Sequence, residues 1–246
     1  MAGTIKWSFE RVGRTDSTQE VARKLAGSGA EEGTVVVALT QTSGRGRKGR
    51  AWLSPEGGLY MSLILRPKRS GGVQLLPLVG SFAVADGIKK DTGIVPFVRW
   101  PNDVLIGGRK VAGVIAECAY RGKNLSYAIV GVGINCNART ESLGEYAPFS
   151  TSISEELGVE IDLTILRDKV LECFARIYAE WERSGKVVER RKEWISTIGR
   201  KVEITRGHRT TVYLAEDVKG DGSLVVRSGK DRLALRVEEV ERLREI

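Results

Sequence analysis

Near Ile198 the hydrophobic period of the chain switches from helical to strand-like, and this switch limits the folds open to it. Upstream, Leu163, Leu166, Val170, Phe174, Ile177 and Trp181 recur at three- and four-residue steps, which predicts an amphipathic helix from about Asp162 to Ser184 that Gly185 ends. A second helix is expected over Val187–Ile198. Downstream come short alternating runs, Lys201–Thr205, Thr210–Asp217, Ser223–Arg227 and Arg232–Val237, with turns at Gly207, Gly220 and Gly229. That pattern predicts a small β-barrel, so residues 1–198 are expected to form one domain and 199–246 another.

The larger unit mixes strands with helices. Ile5–Val12 alternates as a strand, and Ser17 with Glu20, at capping-box spacing, opens a helix that ends near Gly27 or Gly29. Thr34–Gln41 is β-branched and apolar, a buried strand, and Leu59–Arg66 is another, after the turn Pro55-Glu56-Gly57-Gly58. Val73–Asp91 is a mostly apolar helix closed by Gly93, with Pro77 tolerated near its start. Phe97–Trp100 begins a strand that Pro101-Asn102-Asp103 breaks. Val104–Ile106, Gly107-Gly108 and Arg109–Cys118 then make a hairpin, and Leu125–Ile134 follows a turn at Arg121-Gly122-Lys123-Asn124. Successive antiparallel strands with flanking helices define the expected class, an α+β fold with a mixed or antiparallel sheet.

Composition narrows the function. The chain has 246 residues, 41% hydrophobic and 28% charged, enough to bury a sizeable core. The apolar-leaning stretch Leu75–Ala85 is too short to cross a bilayer, and Met1–Arg14 has no apolar segment followed by a small-residue cleavage site. The cytoplasm is therefore the expected location. Cys118, Cys136 and Cys173 form no CxxC pair, which excludes a cysteine-based zinc site. His208 is the only histidine and falls between two short β-like runs, so the chemistry is expected to rest on positioning and fixed positive charge rather than imidazole proton transfer. The net charge of +8 invites a polyanionic partner. Half of it lies beyond residue 180 and half before, so the excess is spread rather than gathered into a nucleic-acid face.

The one dense basic cluster is Gly44-Arg45-Gly46-Arg47-Lys48-Gly49-Arg50, hung between two core strands. Three glycines let the backbone fold closely round an anion while guanidinium groups reach it from several sides; a solvated basic turn or an arginine-glycine nucleic-acid contact would carry the same pattern. Trp52, just beyond, can present a face to a base. Trp100-Pro101-Asn102-Asp103 sets an aromatic ring, an amide and a carboxylate together, although such residues also serve ordinary turns. Lys110 is a point charge able to neutralise a carboxylate or a leaving pyrophosphate, or a solvated lysine. Gly131 and Gly133 interrupt an apolar strand, as a ligand beneath it or a tight bend would each require.

Taken in order, Asp16-Ser17-Thr18, Gln41 leading into Gly44-Arg45-Gly46-Arg47-Lys48-Gly49, Trp52, Trp100-Pro101-Asn102-Asp103, Arg109-Lys110-Val111-Ala112-Gly113 and Gly131-Val132-Gly133-Ile134-Asn135 closely resemble the motifs of the biotin protein ligases. The resemblance runs from about Thr15 to Asn137 and continues more faintly through Thr151-Ser152-Ile153. The final β module resembles that family's SH3-like C-terminal domain. With about 15 residues ahead of the first motif, the chain resembles the short class that lacks a DNA-binding domain.

The resemblance implies a class II synthetase-like biotin/lipoate ligase fold and a two-step reaction, in which biotin and ATP give biotinyl-5'-AMP and a lysine of a biotin carboxyl carrier protein then accepts the biotinyl group. It implies that Ser17, Thr18, Gln19 and Gln41 hold the biotin head, that Gly113 lines its pocket, and that Arg45, Gly46 and Arg47 meet its carboxylate and the adenylate phosphate. Lys110 would bind carboxylate and phosphate and, with Arg45 and Arg47, assist catalysis. Trp52 would face the adenine, with Asn102, Asp103 and Asn135 by the nucleotide; Asp103 is the carboxylate that could serve Mg²⁺. Arg99 stands where lysine is usual and is assigned no role. A homodimer is implied, with neither a specific DNA partner nor a membrane. The competing expectations are a lipoate or octanoate ligase on the same fold and, more distantly, a nucleic-acid-binding module.

Overall fold

In the computed structural model residues 5–246 are described; Met1–Thr4, which open the stretch read for a leader, lie outside the described residues. A seven-stranded mixed sheet forms the frame, in the order β1 (Ser8–Thr15), β2 (Thr34–Gln41), β3 (Leu59–Leu65), β7 (Asn124–Ile134), β6 (Arg109–Arg121), β5 (Asp103–Ile106), β4 (Phe97–Arg99). Only the β1–β2 pair is parallel; the others are antiparallel. Every residue of β3 is buried, which explains an apolar run interrupted only at Ser62: both faces of the sheet are covered there. On one face α1 (Thr18–Gly27) lays Ala22 and Ala26 against Val36, Ile64 and Ile129. On the other, α2 (Leu76–Thr92) and α4 (Leu163–Ser184) bury Phe82, Ile88, Val170, Phe174 and Trp181 in the main core. A short α3 (Ile153–Leu157) precedes α4.

The second sheet is antiparallel, in the order β11 (Asp231–Leu235), β10 (Leu224–Ser228), β9 (Arg209–Val218), β8 (Lys201–Arg206), β12 (Arg242–Glu245). Its Val202, Ile204, Leu224 and Val226 belong to the same hydrophobic core as α2 and α4. Trp100 bolts the two sheets together: its backbone N–H donates to Thr197 Oγ1 at 3.0 Å and its indole N–H to the Gly222 carbonyl at 2.8 Å. No described helix is long and apolar enough to cross a membrane.

Four local expectations are corrected. The first strand begins at Ser8 rather than Ile5 and runs to Thr15, because pairing with β2 extends from Ser8–Thr34 to Thr15–Gln41; Trp7 owes its place to packing edge-on against Phe174 instead. Ser17 does cap α1, accepting from the Gln19 amide at 3.3 Å, yet Glu20 does not complete a capping box and turns to Arg23 and Arg45. Val187–Ile198 forms no α-helix, only a 3₁₀ turn at Lys192–Trp194. Tertiary partners claim that segment: Ser196 N–H donates to the Val98 carbonyl at 2.9 Å, and Arg191 reaches back to Glu180 at 2.7 Å. Finally, where a four-stranded barrel was expected, the second sheet has a fifth strand, β12, whose charged sequence Arg242-Leu243-Arg244-Glu245 shows little alternation to the eye.

Candidate functional site

Where β2, β3, β6 and β7 meet the start of α1, a cavity of about 550 Å³ opens, and every residue to which the resemblance assigns a role lines it. Its inner end is a hydrogen-bonded polar nest. Gln41, at the end of β2, accepts through Oε1 from the Thr18 backbone amide at 2.8 Å and from Thr18 Oγ1 at 3.1 Å. Its amide donates to Ser54 Oγ at 2.8 Å. Ser62 shares a 2.8 Å hydrogen bond with Thr18 and donates to Gln19 Oε1 at 3.0 Å. Ser17, Thr18, Gln19 and Ser62 are buried and their partners fix their rotamers, which preorganises this end for a small polar head group. Ser62 escaped notice in the sequence, although it is the single polar residue in the run Leu59–Leu65.

The opposite wall carries charge. Arg99 on β4 lies directly across from Asp103 on β5, and Lys110 opens β6 beside them. The Asp103 carboxylate is shared: Oδ2 accepts from Arg99 Nη2 at 2.8 Å and Oδ1 from Lys110 Nζ at 2.6 Å. Burial would raise the Asp103 pKa, but Lys110 and Arg99 outweigh it and bring it down to about 2. Lys110 Nζ also stands 5.1 Å from the centre of the Trp52 ring. Arg99, to which the sequence reading assigned no role, lines the cavity wall.

Trp52 settles the question of the strand glycines. The ladder through Gly131 and Gly133 is regular on both sides, so no tight bend is present. A Cβ on Gly133 would stand 2.5 Å from the Trp52 indole, and one on Gly131 would stand 2.6 Å from Gln19 Oε1. The close approach is made by this chain's own side chains. The Trp52 indole N–H is buried without a hydrogen-bond partner, a donor left over for an acceptor in the cavity.

The Gly44–Trp52 loop is folded rather than loose. Trp52 N–H donates to the Gly44 carbonyl at 2.8 Å, Gly46 N–H to the Arg50 carbonyl at 2.7 Å, and Lys48 sits at φ 56°. Gly44 is obligatory, since a Cβ there would stand 2.4 Å from the Trp52 carbonyl oxygen. Its cations divide their work. Arg45 pairs with Glu20 at 2.8 Å. Arg47 donates to the Val237 and Val240 carbonyls at 2.9 and 3.2 Å, Lys48 to the Glu238 carbonyl at 2.9 Å, and Arg50 to the Glu241 carbonyl at 3.4 Å. Burial lowers the Arg47 pKa. Three of the four cations therefore latch the loop to the segment 237–241 that joins β11 to β12.

Asn102 and Asn135 border the cavity, but their amide groups first brace the frame, donating to the Val114 carbonyl at 2.9 Å and the Thr151 carbonyl at 3.1 Å. Two further contributions were not legible in the sequence. Leu143, Tyr146 and Phe149, from a segment of 3₁₀ turns over Thr140–Phe149, form an apolar wall, and Tyr146 and Phe149 are exposed aromatics able to take a planar ring. Arg242 and Arg244 of β12 add cations from the second sheet. Among the described residues no cluster of three His, Cys, Asp or Glu could cage a metal ion. Both Asp103 oxygens are already paired, so the donor set does not fit a resident Mg²⁺ site.

A polar nest at one end of a cavity, a charged wall at the other and a latched arginine loop between them make a site able to take a ligand with a small polar head and an anionic end. The chain belongs to the biotin/lipoate A/B protein ligase family, whose model matches residues 12–135. It is 31% identical over 236 residues to the biotin--[acetyl-CoA-carboxylase] ligase of Paracoccus denitrificans, spanning 92% of this chain and 97% of that one. It is 40% identical over 172 residues to the bifunctional ligase/repressor BirA of Bacillus subtilis, a match that covers 69% of this chain and about half, 53%, of that relative. Among solved structures, a biotin protein ligase from Aquifex aeolicus in complex with biotin and ATP aligns at a TM-score of 0.84 and 29% identity, over 97% of this chain and 99% of that one.

Proposed function

We propose that this chain is an ATP-dependent biotin–protein ligase. The observation that carries it is the convergence, round one cavity, of the buried Thr18–Gln41–Ser62 nest and the Lys110–Asp103–Arg99 cluster. The similarity to the Paracoccus ligase along nearly the whole chain supports the same assignment. Ser17, Thr18, Gln19 and Gln41 hold the biotin head through amide and hydroxyl groups, and Gly113 lines the pocket where Trp52 and Lys110 come close. The acid's carboxylate oxygen attacks the α-phosphorus of ATP, the bond to the β-phosphate oxygen breaks, and pyrophosphate leaves. Two anions must meet for this to happen, so charge neutralisation by Lys110, Arg45 and Arg47 supplies the main assistance and no histidine is needed. Trp52 offers its ring to the adenine, and Asn102 and Asn135 lie at the nucleotide's side. Mg²⁺ enters with the triphosphate as part of the substrate.

The mixed anhydride then waits under the loop, where exclusion of water protects it. The ε-amine of a lysine on a biotin carboxyl carrier protein attacks the acyl carbon, the anhydride bond breaks, AMP departs and the amine releases a proton. The exposed edge strand β1 is the surface on which a second copy of the chain pairs. The deciding experiment is biotin-dependent exchange of labelled pyrophosphate into ATP, run beside lipoate and octanoate. Exchange with biotin alone is expected. Exchange with lipoate or octanoate instead would move the specificity, and none with any acid from folded protein would refute adenylation.

A further inference from the structure

Lys110 begins from an engaged state. Its Nζ lies 2.6 Å from Asp103 Oδ1, and all three members of the cluster are only about a fifth to a quarter exposed. To turn its charge fully to an incoming anion, Lys110 must loosen its hold on that carboxylate. A carboxylate so placed and stripped of its partner is strongly unfavourable, which would oppose the move. Arg99 removes the opposition. It sits opposite Asp103 in the β4–β5 ladder and binds the other oxygen, Oδ2, at 2.8 Å, so its contact survives when Lys110 departs. A guanidinium keeps its charge at any working pH, and its position on the neighbouring strand is fixed by the ladder.

We infer that Arg99 is a positioning residue: it stays with Asp103 as counter-ion and so frees Lys110 for the anionic phosphate end of the substrate. The inference rests on the ligase function proposed above, in which Lys110 receives that anion. It assigns the arginine at a position where the resemblance to biotin ligases leads one to expect lysine, and any cation able to reach Oδ2 would serve.

The test is the affinity of the full chain for inorganic pyrophosphate, measured by calorimetry in a double-mutant cycle. R99M is expected to bind about tenfold more weakly than wild type, because Lys110 is then the sole partner of Asp103. R99K is expected to restore binding to within about twofold. In the D103N background, where Lys110 has no carboxylate to leave, adding R99M is expected to cost nothing. Equal weakening by R99M in both backgrounds would mean that Arg99 touches the anion itself, and would overturn the inference. So would unchanged binding by R99M, or no binding of pyrophosphate by wild type. R99Q supplies the same comparison should R99M fail to fold. Pyrophosphate exchange is scored separately: its absence in wild type refutes the ligase function, while the affinity cycle still decides the role of Arg99.

Discussion

Asp103 holds two cations with one carboxylate, and its ionisation is linked to stability. Its folded pKa, about 2, lies below the roughly 3.9 of an unfolded aspartate, so its contribution is fully present above about pH 4 and is lost as pH falls toward 2. Asp103→Asn is expected to cost about 1–3 kcal/mol at pH 7 by leaving two partly buried cations without a partner. Denaturant titrations of variant and wild type should converge as pH approaches 2; a gap that persists there would show that the charge is not what stabilises. Lys110 and Arg45 separate synthesis from retention. Lys110→Ala should depress adenylate formation by orders of magnitude in pyrophosphate exchange, and near-normal exchange would remove it from the catalytic residues. Arg45, whose side chain pairs with Glu20 at the surface, should matter for holding the product: Arg45→Ala should release free biotinyl-adenylate faster than wild type while folding normally. Ser17, Thr18, Gln41, Arg45 and Lys110 were all legible as individual residues. The pairing of Arg99 with Asp103 was not, because it depends on which strands lie side by side.

Among the elements, the Gly44–Trp52 loop departs furthest from what its sequence suggests. Alternating glycine and arginine implies mobility, yet Arg47, Lys48 and Arg50 all donate to backbone carbonyls of residues 237–241. The Lys48 and Arg50 contacts are exposed and the Val237 carbonyl also accepts from the Val240 amide, so the latch is modest in energy and reversible, as a lid requires. Replacing the three cations together by alanine should speed hydrogen exchange of the loop amides by about tenfold or more and leave the β3 amides unchanged. Unaltered exchange in the loop would mean that its internal Gly46–Arg50 and Gly44–Trp52 hydrogen bonds hold it unaided. The failed helix at Val187–Ile198 teaches the converse. Its local pattern is helical enough, but Val98, Glu180 and the second sheet compete successfully for its backbone and side chains.

Across the whole molecule, two sheets share one core. Val202, Ile204, Leu224 and Val226 pack into the same hydrophobic cluster as Phe82 and Phe174, and Trp100 crosses between the sheets. Unfolding is therefore expected as a single cooperative transition, with the calorimetric and van't Hoff enthalpies equal. Two resolved transitions would show that the C-terminal sheet melts by itself. The same union lets Arg242 and Arg244 of β12 line a cavity built almost wholly by residues before 151.

The main strands and long helices up to Ser184, the positions of the cavity-lining motifs and the expectation of fixed cations in place of histidine were set by the sequence alone, because periodicity, turn chemistry and charge spacing are local properties. Tertiary structure alone decided that Gly131 and Gly133 yield space to Gln19 and Trp52, that Asp103 divides itself between Arg99 and Lys110, and that the segment joining β11 to β12 grips the loop. Those outcomes depend on which distant segments become neighbours, and only packing makes them so.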